Sequence, residues 1–166
     1  MSRISKIFVA IVAAAGIVGG SVTARADTQP VAGTVASTLG MSVSGPVALT
    51  NFAPGQTATG TGSITVVSTG PWVLRLSDAD ATNPGHLLRT SGSSGETALV
   101  QALGWSTSPT LGTGHSGTLS GTATVGASGT LSDSVSVGYS QVIGSTEPLA
   151  TGSVYSLTVT WTISAT

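Results

Sequence analysis

Tyr155-Ser156-Leu157-Thr158-Val159-Thr160-Trp161-Thr162-Ile163 carries an apolar side chain at every second position and a hydroxyl at each position between. A strand turns successive side chains to opposite faces, so this period of two describes a β-strand with one face against a core and the other in water. A second run of the same kind, Trp72-Val73-Leu74-Arg75-Leu76, also begins on tryptophan and puts Arg75 on its outward face. Shorter alternating segments separated by turn residues lie before and between the two. The expected fold is all-β: an antiparallel β-sandwich, jelly-roll or Ig-like, of about eight or nine strands with no substantial helix after the N-terminal leader.

The leader is residues 1–26. Arg3 and Lys6 precede the apolar run Ile7 to Val18, and Ala24-Arg25-Ala26 offers small residues for cleavage, the pattern of a secretory signal peptide. The apolar run falls short of the ~20 residues that a membrane span needs, so no membrane span is expected after cleavage. The mature chain then starts at Asp27 and forms a single domain, residues 27–166, secreted to the extracellular face or cell surface. Arg75 and Arg89 are its only basic residues against Asp27, Asp78, Asp80, Glu96, Asp133 and Glu147, and it has no lysine. A chain with that balance lacks the basic patch of a nucleic-acid binder. With no cysteine anywhere, neither a disulfide, a lipidated cysteine nor a thiol nucleophile is available.

Turn chemistry divides the rest. Val35, Leu39, Met41 and Val43 alternate through residues 34–44 until Gly45-Pro46, and Val47 and Leu49 form a shorter strand that ends at Phe52 and Ala53-Pro54-Gly55. Ile64 and Val66 mark another strand, closed by Thr69-Gly70-Pro71. Proline presets φ and glycine allows positive φ, which is why these clusters end strands. Residues 77–97 are expected to be the longest loop, and residues 98–105 resume apolar character through Leu99, Leu103 and Trp105. Residues 118–140 are expected to form a β-hairpin that turns at Gly126-Ala127-Ser128-Gly129, with Asp133 near a strand end or marking an edge.

Trp72-Val73-Leu74 with the nearby Asp78, and Tyr155 followed at the end of the chain by Trp161-Thr162-Ile163, together resemble the two signature stretches of the WxL domain, a bacterial cell-surface family. This chain has Ile163 where the family's second motif has leucine, a nearly volume-conserving exchange on a strand face. The resemblance covers nearly the whole mature chain. It implies a secreted β-sandwich that associates non-covalently with the cell wall, with peptidoglycan or another surface protein as partner. By carry-over of the motifs its ligand-binding residues are Trp72, Leu74, Asp78, Tyr155, Trp161 and Ile163. A second likeness is to self-assembling subunits of pilus or spore-coat type, whose terminal strands alternate in the same way.

Trp72 and Trp161 have two readings: indole faces that stack on sugar rings, or core anchors at the head of inward-facing sets. Asp78-Ala79-Asp80-Ala81-Thr82 has the oxygen spacing of a calcium loop, but Asn83 stands where the turn glycine belongs and Arg89 where the bidentate acid belongs. His86 and His115 have no metal-ligating neighbour at a useful spacing, so no metal site is expected. No G-x-S-x-G elbow is present and no pair of acids is set up for glycoside hydrolysis. The chain is therefore expected to be non-enzymatic and without cofactor.

Overall fold

The computed structural model describes residues 32–90 and 97–166. The expected leader, residues 1–26, and the Ser91 to Gly95 part of the expected long loop lie outside them. Eleven strands follow one another in the described residues, without a helix: β1 Leu39–Val43, β2 Thr57–Ser68, β3 Trp72–Asp78, β4 Leu88–Arg89, β5 Gly104–Pro109, β6 Thr113–Gly114, β7 Ser116–Thr118, β8 Thr124–Gly129, β9 Asp133–Val142, β10 Tyr155–Ser156 and β11 Val159–Ala165. All pairings are antiparallel. One sheet runs β1-β2-β9-β5-β7, a second runs β11-β3-β8-β6, and β10 with β4 makes a two-stranded ribbon. The two larger sheets form a β-sandwich, and residues 35–166 pack as one unit.

The strand count exceeds the expected eight or nine because β4, β6, β7 and β10 have only two or three residues each. Pieces that short show no period in sequence. The expected strand at Val47 and Leu49 is absent apart from one bridge, Thr50 to Thr59. The terminal run divides at Leu157-Thr158 because its partner changes: Tyr155 lies opposite Arg89 of β4, whereas Val159 lies opposite Asp78 at the end of β3. Its sidedness nevertheless continues across the break.

The inner faces follow the alternation. Trp72, Leu74 and Leu76 of β3 meet Ile64 and Val66 of β2, Val135 and Val137 of β9, and Trp105 of β5 in one buried cluster. Each of the three indoles lies over a glycine of another strand. A Cβ at Gly129 would stand 2.5 Å from Trp72 Cζ2, one at Gly126 2.9 Å from Trp161 Cζ3, and one at Gly117 3.4 Å from Trp105 Cζ2. Strand glycines of this kind make room for close approach.

Those glycines correct the expected hairpin. Gly126 to Gly129 lie inside β8, and β8 pairs with β3 and β6 while β9 pairs with β2 and β5. The chain therefore crosses between the sheets through Thr130 to Ser132 instead of folding back within one sheet. Asp133 opens β9, a central strand and not an edge. Its carboxylate accepts the N–H groups of Thr110, Leu111 and Ser134 at 3.1, 2.9 and 2.6 Å, which holds the β5 to β6 connection against the start of β9.

One side of the sandwich is closed by the chain itself. β6 belongs to one sheet and β7 to the other, so residues 113–118 step across the gap. The β3–β8 register skips Gly126, a bulge whose carbonyl accepts the buried Thr107 hydroxyl from the opposite sheet. Thr107 Oγ1 also accepts the His115 N–H at 3.0 Å, and the Thr107 N–H donates to the His115 carbonyl at 2.8 Å. The opposite side, where β1 and β11 are the edge strands, has no such crossing.

Candidate functional site

Between β1 and the terminal strands the sandwich opens into a cleft of about 810 Å³. One bank is residues 43–49 and the other residues 153–159. The first bank leaves the sheet at Gly45-Pro46 because proline has no N–H to continue a ladder. Its departure is fixed by the Ser44 N–H, which donates to the Ser63 carbonyl at 2.8 Å, and by Ser44 Oγ, which accepts the Ser63 N–H at 3.0 Å. Val47 then fits over Gly60 and Gly62 of β2, where a Cβ would collide with its methyl groups at 2.7 and 3.0 Å. The second bank is held by the β10–β4 pair and by the Ala150 N–H, which donates to Tyr155 Oη at 3.1 Å. Phe52 packs on Tyr155 at 5.5 Å between ring centroids, tilted 33°.

The floor is apolar: Ile64, Leu87, Leu103 and Val137, with Tyr139 and Trp161 beside them. None of the lining residues is Asp, Glu, Lys, Arg or His, and the polar side chains at the margin are hydroxyls such as Ser44, Ser156 and Thr158. Trp161 Nε1–H points to Tyr139 Oη at 3.4 Å. Burial pushes the Tyr139 phenol above its ordinary value, partly offset by that hydrogen bond. A raised folded-state pKa favours the folded protein below pH ~10 and gives up that contribution as pH rises through the folded value, because the unfolded chain releases the proton first. Tyr139→Phe is expected to flatten this part of the alkaline loss of stability, measured by urea denaturation at about pH 8 and about pH 11.

The six motif residues divide between core, turn and cleft. Trp72 and Leu74 are 1% and 0% exposed, and Trp72 Nε1–H donates to the Leu131 carbonyl at 2.7 Å. Trp161 is 8% exposed, in the wall of the cleft. Tyr155 is half-buried and lines it, while Ile163 is half-buried farther along β11 and packs against the core. Asp78 is buried and serves the following turn: its carboxylate accepts the Asp80 N–H at 3.1 Å and the Gly85 N–H at 2.8 Å. Gly85 has φ +85°, the left-handed conformation that glycine tolerates. Asp80 in turn accepts from Asn83 and Thr82, in that order of effect, and these N–H groups hold its carboxyl below the usual carboxylate range. Both acids of the calcium-like spacing thus organise backbone, and among the described residues no group of three His, Cys, Asp or Glu could hold a metal ion.

The structure therefore brings Tyr155 and Trp161 to the lining of one cleft and leaves Trp72, Leu74 and Asp78 in supporting positions. Leu157, Val159, Val47, Leu49 and Phe52 complete that lining without having been expected there. The alternation marked Leu157 and Val159 as inward-facing, but inward here means toward a gap between the sheets. Comparisons with protein-family models, with curated proteins and with solved structures returned no match.

Proposed function

We propose that this chain is a secreted, non-enzymatic surface domain that associates non-covalently with the cell wall, through peptidoglycan or a wall-associated partner, by taking an extended segment into the cleft. One observation carries the reading: Tyr155 and Trp161 of the terminal motif converge on a cleft free of charged side chains and bordered by two sheet edges. A sheet edge offers unpaired N–H and C=O groups to an incoming chain, and alternate side chains of that chain find apolar pockets. The buried faces of Trp72 and Trp161 offer no open platform for sugar stacking, which favours a peptide segment over a glycan ring as the occupant.

The test is retention of residues 27–166 on purified peptidoglycan with its associated protein, beside Leu157→Asp checked for folding by circular dichroism. The parent is expected in the wall fraction and the folded variant at roughly tenfold lower retention, since a carboxylate placed in an apolar contact carries a desolvation penalty. A parent recovered wholly in the supernatant, or a folded variant retained like the parent, would remove the proposal. A second reading, a self-assembling subunit of a surface fibre or coat, is favoured by residues 35–38, which keep the period of β1 but precede its ladder.

A further inference from the structure

We infer that the occupant of the cleft is residues 32–37 of a second copy of this chain, laid between the two banks as an added strand. The inference rests on the cleft being the binding surface, with the cleft left open at the end of a row of copies being the one that meets the wall. By the period of two, Val35 falls on the side of the chain that Leu39, Met41 and Val43 continue, upstream of the pairing of β1. Val35 is nevertheless 85% exposed. The ladder gives way at Thr38, whose N–H donates to Thr69 Oγ1 at 2.9 Å and whose carbonyl accepts the Thr69 N–H at 3.1 Å. Residues 35–38 join β1 at Leu39, the end away from Val43 where the cleft begins.

Size and charge agree. Residues 153–159 span roughly 20 Å at ~3.3 Å per residue, the length of a six- or seven-residue strand. Residues 32–37 carry no charge, matching a cleft lined by none. Because the donated segment and the accepting cleft are different surfaces, the contact is head-to-tail and repeats from copy to copy.

The experiment is light scattering on residues 27–166 across a concentration series, with Val35→Asp as the donor-side variant and Leu157→Asp as the acceptor-side variant. The parent mass is expected to rise by about twofold or more, and each variant to stay monomeric. An equimolar mixture of the two variants is expected to stop at a pair, because one intact segment meets one intact cleft. A parent that stays monomeric at all concentrations, or Val35→Asp assembling like the parent, would overturn the inference. Val35 is exposed, so that arm stands even where Leu157→Asp does not fold. A monomeric parent whose wall retention still depends on Leu157 defeats this inference and leaves the cleft reading intact. Indifference to Leu157→Asp in both assays removes the cleft reading as well.

Discussion

Trp72→Ala is expected to destabilise the domain by about 3–5 kcal/mol, the range for emptying a buried aromatic site. Trp72 is 1% exposed, at the centre of the cluster that joins the two sheets, with its ring against Gly129. The substitution leaves a cavity that β8 cannot fill, because the residue facing it has no side chain. It also strands the Leu131 carbonyl, which receives the indole N–H where the chain crosses from β8 to β9. A domain of this size has only about 5–15 kcal/mol of stability, so the loss is a large fraction of the total. Urea denaturation measures it directly, and Trp72→Phe, which keeps most of the apolar volume but not the donor, is expected to fall between parent and alanine. An alanine variant within about 1 kcal/mol of the parent would show that the ring is not a core anchor.

Gly114→Ala is expected to be strongly damaging as well, near the upper end of the roughly 1–3 kcal/mol typical of forced overpacking. A Cβ there would overlap the Thr107 carbonyl oxygen, a backbone atom that cannot swing aside. The displacement falls on the hydrogen bonds among Thr107, His115 and Gly126 that close this side of the sandwich. Gly70→Ala is the matched control, because nothing lies within 4 Å of a Cβ at that position. Near-neutral behaviour at Gly70 with a clear drop in denaturation midpoint at Gly114 is the expected pair of results; equal midpoints would contradict the seam as described.

Alternation made the all-β class and the facing of Trp72 to Leu76 and Tyr155 to Ile163 legible, because a period of two is imposed by strand geometry itself. The same period cannot separate a hairpin from a crossing between sheets, which is why residues 118–140 read as a hairpin. Gly126 to Gly129 look like turn residues until Trp72 and Trp161 are seen lying over them, a relation between positions far apart in the chain. The cleft was hidden for a related reason. Leu157 and Val159 announce an inner face, but whether a second sheet meets that face depends on how far residues 43–49 diverge, and that follows from Pro46 and from the Val47 notch over Gly60 and Gly62. The two-residue strands left no trace because no period fits in them.

The cleft as binding surface is tested most directly by amide hydrogen exchange on residues 27–166, free and retained on the wall. Exchange is expected to slow at both banks, residues 43–49 and 155–159, since an occupant lying between them would cover their backbone. Slowing confined to the closed side, residues 107–118, or to the Asp78 turn, with both banks unchanged, would contradict it.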